Sequence, residues 1–200
     1  MARVHKLSLL LVALLWSGCK LESDSVLPLQ IAGREACTAF SINEANGFWL
    51  TAGHCVDALL ESGEPLSIRN SPVVVIFRAP LFDDLAVVQS AFKAPALVLA
   101  PHAPRVTNQV YVVGYPYGLG HLLHTQGVIS GRMVPLGFFY PPSDILDVTI
   151  AGGNSGSPVC LHNRTVVGMI WGSLHDASPI SVAVPWETLK RLVGGYWEGA

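Results

Sequence analysis

From Cys37 onward the chain is a succession of short runs rich in Val, Ile, Phe and Tyr, broken by Gly, Pro and Asn. They read FWLTA, PVVVIF, LAVVQS, QVYVVGYP, GVISGRMV, DILDVTIA, TVVGMIWG and ISVAVP. Segments of this kind at fairly regular spacing imply an all-β sandwich or barrel. Only VDALL and PWETLKRLV carry a helical pattern. The second has Pro185 near its start and Gly194 and Gly195 just past its end, which suit a helix start and stop. No internal repeat or long linker divides the 200 residues, which suit one domain with a sizeable core.

Composition closes off other classes. A 50% hydrophobic and 13% charged chain is not disordered. A net charge of −2, with no aromatics interleaved among Lys and Arg, points away from nucleic acid.

The first residues read differently from the rest. MARVHK supplies Arg3 and Lys6, LSLLLVALLW an apolar stretch, and SGC small residues before Cys19, so residues 1–18 are expected to be a signal peptide. The apolar stretch is about half of what a membrane-spanning helix needs. LWSGC resembles the lipobox of bacterial lipoproteins, although Trp16 stands where that family prefers an aliphatic residue. The resemblance implies lipidation of Cys19 and a membrane anchor of several acyl chains. The expected location is the cell envelope (periplasm, outer membrane or cell surface), with plain secretion as the alternative. Residues 19–35 then read as a tether and residues 36–200 as the folded domain. With Cys19 set aside, Cys37, Cys55 and Cys160 allow at most one internal disulfide, which would need an oxidising compartment.

GGNSGSP, residues 152–158, poses the chemical question: Ser155 is either loop material or a nucleophile. Serine is a poor nucleophile by itself and needs a base in hydrogen-bond reach, with a third group to orient that base. His54 in LTAGHCV and Asp84 in DDLAVV offer both, in the chain order His, Asp, Ser. Subtilisin and the α/β-hydrolases use other orders, and the pattern G-x-S-x-G fails because residue 157 is Ser.

LTAGHC, DDLAVV and GGNSGSP together resemble the three signature segments of chymotrypsin-fold serine proteases. VVGYPYGLGHLLHTQGVISG, DVTIAGGNSGSP and ISVAVPWETLKRLV resemble the bacterial HtrA-like and trypsin-like branch, so the likeness runs from about Cys37 to Leu192. It implies two six-stranded antiparallel β-barrels with a short C-terminal helix and a cleft between the barrels. It makes Ser155 the nucleophile, His54 the base and then acid, and Asp84 the orienting carboxylate, preferred over Asp83 because it directly precedes LAVV. The oxyanion hole would be the N–H groups of Gly153 and Ser155, in a turn for which Gly152, Gly153 and Gly156 are all expected to lack a Cβ for good reason. The likeness also implies a Cys37–Cys55 disulfide bracing the His54 loop, leaving Cys160 buried.

Two departures matter. Trypsin-type zymogens need an Asp directly before the nucleophile to receive a new N-terminal ammonium, and Asn154 stands there. The oxyanion loop is therefore expected to be ordered by other contacts. After Leu192 too little follows for the PDZ domain that commonly accompanies HtrA proteases, so peptide gating is not carried over.

By the same likeness, Thr149, Ile170, Trp171, Gly172 and Ser181 would shape the specificity pocket. No acidic side chain stands at Thr149, so small or medium apolar residues are expected before the scissile bond. His121 and His124 lack the Cys or acidic partners of a metal site, and neither metal nor cofactor is implied. The expected activity is that of a serine endopeptidase acting on protein or peptide substrates through an acyl-enzyme. The alternatives are a serine esterase on the same fold or a non-catalytic binding protein.

Overall fold

The computed structural model describes residues 24–80, 82–137, 140–162, 165–174 and 180–199; the expected signal segment 1–18 and Cys19 lie outside them. Strands β1 (Val26–Ile31), β2 (Arg34–Asn43), β3 (Phe48–Ala52), β4 (Leu66–Ile68), β5 (Ser71–Arg78) and β6 (Leu85–Ser90) close into an antiparallel barrel in the order β1-β2-β3-β6-β5-β4. Helix α1 (His54–Ser62) leaves the end of β3. After a short β7 (Val98–Leu99) come β8 (Gln109–Gly114), β9 (Leu123–Val134), β10 (Ser143–Asp147), β11 (Pro158–Cys160), β12 (Thr165–Ser173) and β13 (Ile180–Pro185). These six form the second barrel in the order β11-β8-β9-β10-β13-β12, closed by pairing of β11 with β12, while β7 lies parallel to β12 on its outside. The expected pair of barrels is present, and closure leaves few strand edges open. Among the described residues no helix is long and apolar enough to cross a membrane.

The alternation of side chains along the strands explains why the second barrel sits on the first. Val110 and Val112 of β8 point into the second core, whereas Val113 joins the core cluster that contains Phe40, Trp49 and Leu50 of the first barrel. β12 and β13 repeat this pattern, with Val167 and Ala183 inside and Val166 and Val184 facing the neighbouring barrel. A strand buried on both faces reads as a continuous apolar run, which is how these strands appear in the sequence.

The boundary expected at residue 36 needs correction. β1 pairs with β2 over Val26–Ile31 and with β4 over Leu29–Ile31, so residues 26–35 belong to the barrel rather than to a tether. Val26, Leu27 and Leu29 are buried, and Pro28 at the centre of the strand had masked the pattern. Helix α2 (Trp186–Val193) starts after Pro185 and meets Gly194 at its end, as expected. Its Leu189 and Val193 pack into the first barrel's cluster.

Candidate active site

Strand pairing brings His54 and Asp84 together. In the β3–β6 ladder Ala52 lies opposite Leu85, so the residues that follow β3 and precede β6 emerge side by side. His54 is the first residue of α1 and Asp84 stands directly before β6. Asp84 Oδ1 accepts the His54 backbone N–H at 2.7 Å, and Oδ2 lies 2.7 Å from His54 Nδ1. Both the helix terminus and the imidazole are thus held by one carboxylate that is only 17% exposed. With Nδ1–H donated to Asp84, the other ring nitrogen is left to act as a base.

Burial pushes the Asp84 carboxyl pKa up, but the His54 hydrogen bonds, the His54 charge and the Arg78 guanidinium outweigh it and hold the group below its ordinary value. Asp83 takes no part: its carboxylate faces Arg191 of α2 at 3.4 Å.

The disulfide connects this pair to the loop of Ser155. Cys37 and Cys55 are bonded, with Cα atoms 6.3 Å apart. Their sulfurs and a His54 ring nitrogen all lie within 4.8 Å of one another, so the bridge packs against the imidazole; with both sulfurs joined, the trio is no metal site. The residue after Cys37, Thr38, donates its N–H to the Ser155 carbonyl at 2.8 Å, and Cys55 Sγ lies 4.0 Å from the same oxygen. The latter is a contact only, because a disulfide sulfur has no proton to give. Among the described residues no hydrogen bond joins Ser155 Oγ to the His54 ring. Such contacts commonly tighten only with substrate in place.

Each carbonyl of the loop from Gly152 to Ser155 has a fixed donor. Gly152 O accepts from Tyr117 N at 2.5 Å, Gly153 O from Thr38 Oγ1 at 2.8 Å, Asn154 O from Ser157 N at 2.9 Å and Ser155 O from Thr38 N. The N–H groups alternate. Asn154 N donates to Ala151 O and Gly156 N to Ile170 O, whereas Gly153 N and Ser155 N have no acceptor among the described residues. In a trans peptide the C=O and N–H point opposite ways. Anchoring the carbonyls of Gly152 and Asn154 therefore turns the N–H groups of Gly153 and Ser155 away from those anchors.

Two of the three expected glycines are required by this loop. Gly153 has φ +97° and an added Cβ would lie 2.3 Å from Tyr115 O; Gly156 has φ +86° and its Cβ would lie 2.1 Å from Thr38 O. At Gly152, by contrast, nothing lies within 4 Å, so its lack of a side chain is not dictated by space.

The trypsin-like peptidase domain family matches residues 37–169, more than half of the chain and inclusive of His54, Asp84 and Ser155. The chain belongs to that family. A putative Do-like 3 mitochondrial protease of Arabidopsis thaliana is 31% identical over 99 residues, covering 48% of this chain and 17% of the relative. The chloroplastic protease Do-like 2 of the same plant is 28% identical over 185 residues, covering 86% of this chain and 30% of the relative. The chain thus spans well under half the length of these relatives. Among solved structures, Deg5 superposes with a TM-score of 0.70 at 20% identity, covering 85% of this chain and 87% of that one. A serine endoprotease from Yersinia pestis gives 0.70 at 22% identity, covering 86% and 62%. At such identities the likeness is one of fold.

Within this trypsin-like peptidase the five residues assigned to specificity part ways. Ile170 is fully buried in the second core, so only its backbone faces the loop, accepting from Gly156 N and donating to Ser157 O. Ser181 is also buried, with its hydroxyl donated to Val148 O at 2.9 Å. Thr149 is exposed, and Gly172 is partly so. Trp171 is the extra residue of a bulge in β12, where Ile170 faces Ala183 and Gly172 faces Val182. A bulge re-aims its side chain. The Trp171 indole donates to Ser143 Oγ, stacks on Tyr140 at 5.7 Å and lines a cleft of about 240 Å³ with His54, Phe82 and Pro141. Phe82 and Tyr140 carry no motif and could not be placed at the cleft from sequence.

Proposed function

We propose that this protein is a serine endopeptidase with Ser155 as nucleophile, His54 as general base and acid, and Asp84 as the carboxylate that orients and stabilises the imidazolium. Ser155 Oγ attacks the scissile carbonyl as its proton passes to His54. The oxyanion that forms is stabilised by Gly153 N–H and Ser155 N–H, the imidazolium protonates the leaving amine, and water then releases the acyl group by the reverse sequence. The observation that carries this reading is the alternation in the oxyanion loop. Every carbonyl is tied back while the two N–H groups needed for an oxyanion are unspent, beside a histidine already held by a partly buried carboxylate. A preference for small or medium apolar residues before the scissile bond belongs to the same reading, and the exposed Thr149, with no acidic side chain at that position, supports it.

A fluorophosphonate tests the nucleophile. Intact mass should rise by one label on the parent chain and stay unchanged on Ser155→Ala. Labelling that persists in Ser155→Ala, or is absent from a folded parent, overturns the assignment. Cleavage of casein rather than of simple esters alone separates the peptidase from an esterase.

Export with a lipid anchor on Cys19 accompanies this reading, and the Cys37–Cys55 disulfide, which needs an oxidising compartment, supports the export half of it. Cys19→Ser should move the protein from the membrane to the soluble fraction of the expressing cell; unchanged fractionation rejects the anchor.

A further inference from the structure

The oxyanion loop is ordered without the Asp and ammonium of a trypsin-type zymogen, and the structure shows what stands in their place. Three of the four carbonyl anchors of residues 152–155 are backbone N–H groups; the fourth is the hydroxyl of Thr38. Thr38 lies in β2 of the first barrel, fully buried, and the loop belongs to the second. Its Oγ1 donates to Gly153 O at 2.8 Å and accepts from Tyr115 N at 3.0 Å, while its N–H reaches Ser155 O. Its carbonyl in turn accepts from Thr51 Oγ1 at 2.8 Å. Every polar group of this one residue is engaged, and three of its four bonds go to the second barrel. We propose that the Thr38 hydroxyl is a positioning residue for the oxyanion hole, an inference that rests on the serine endopeptidase reading.

The argument turns on Gly153. With no side chain and φ +97°, its two flanking peptides can rotate widely unless both are pinned. Tyr117 N pins the preceding peptide through Gly152 O, and the following one is held at both ends, by Thr38 Oγ1 at Gly153 O and by Ala151 O at Asn154 N–H. Loss of the hydroxyl leaves the following peptide held by its Asn154 N–H alone and strands Gly153 O and Tyr115 N in a largely buried place, which a rotation of the Gly153 peptides would relieve. That rotation carries Gly153 N–H away from the developing oxyanion. Because Thr38 follows Cys37, and Cys55 follows His54, the same residue links the hole to the histidine through the disulfide.

The test uses the whole chain and a fluorophosphonate, whose reaction forms the Ser155 Oγ–phosphorus bond, expels fluoride, sends the hydroxyl proton to His54 and directs the phosphoryl oxygen to the hole. Thr38→Val keeps the shape and removes the hydroxyl, and Thr38→Ser restores it. We expect kinact to fall about 10- to 100-fold in Thr38→Val, below the loss for removing a hole donor outright, with KI within about threefold. Thr38→Ser should stay within about threefold of the parent in both. Thr51→Val serves as comparator: it removes the hydroxyl bond to Thr38 O but leaves every loop anchor, so its melting temperature should fall without a matching fall in kinact. If Thr38→Val does not fold, Thr38→Ala carries the same comparison. Parent-like kinact in folded Thr38→Val, or an equal loss in Thr38→Ser, refutes the positioning role while the nucleophile assignment stands. A folded parent that takes no label refutes both.

Discussion

At the scale of single residues, the proposed roles divide into those that letters suggest and those that only contact suggests. His54, Asp84 and Ser155 stand in short stretches whose spacing and order point to one chemistry, so they could be picked out before any fold was known. Thr38 could not, because a Thr after a Cys in a strand looks like any strand Thr, and its meaning comes from a loop more than a hundred residues away. The reverse also occurs: Ile170 and Ser181 were placed in the specificity pocket by likeness, yet burial withdraws both side chains from it. Asp84→Asn tests the orienting carboxylate. The amide keeps an oxygen for the His54 N–H but presents an NH₂ to Nδ1, favouring the wrong tautomer, so kcat on casein should fall by about 10⁴. A fall below about tenfold would remove Asp84 from the triad. The same residue sets a pH dependence. Its folded pKa is depressed, so its contribution to stability is complete above the ordinary carboxyl value of about 3.9 and is lost as pH falls through the folded value. Melting temperature followed from pH 5 downward should therefore drop more steeply in the parent than in Asp84→Asn.

At the scale of elements, the apolar runs of the sequence correspond to β3, β5, β6, β8, β9, β10, β12 and β13, because each is long and rich enough in β-branched residues to stand out. What escaped were β1, with Pro28 at its centre, the ten-residue β2, whose REACTAFSIN mixes polar and small residues among few large apolar ones, and the short β4, β7 and β11, which owe their place to neighbours rather than to pattern. The bulge at Trp171 escaped for a similar reason, since register shifts are set across strands. The disulfide is an element-scale device: it ties β2 to α1 and closes a loop of 18 residues. Replacing both cysteines by serine should lower stability by about 3 kcal/mol in the chain-entropy account. Urea unfolding of the double variant beside the parent measures this, and dithiothreitol should bring the parent to the same midpoint. A midpoint that does not move in either experiment would mean that the packing alone holds the His54 loop.

At the scale of the molecule, the barrels are held together from two sides. One is the Thr38 junction behind the candidate site; the other is the segment after α2, which returns from the second barrel to the first. Tyr196 meets Phe48 edge-on and Phe77 at a tilt, Glu198 N donates to Ile42 O, and the Trp197 ring lies 6.0 Å from that of Phe40. Trp197 is 4% exposed, and its indole N–H donates to Leu97 O in the connection between the barrels. Nothing in GGYWEG as letters foretells this, because a Trp among glycines near a helix end has no period to betray its buried side. Trp197→Ala removes a large ring from the shared core and strands the Leu97 carbonyl, which together should cost about 3–5 kcal/mol. Since the core cluster of the first barrel continues without a break through Val113, Met169 and Val184 into this segment, the loss should be felt by both barrels at once. Thermal unfolding of the variant followed by far-ultraviolet dichroism and by fluorophosphonate labelling of Ser155 should show the two signals falling together at a lowered midpoint. If labelling and dichroism keep the parent's midpoint, the segment after α2 is an attachment to a barrel pair that the Thr38 junction holds by itself.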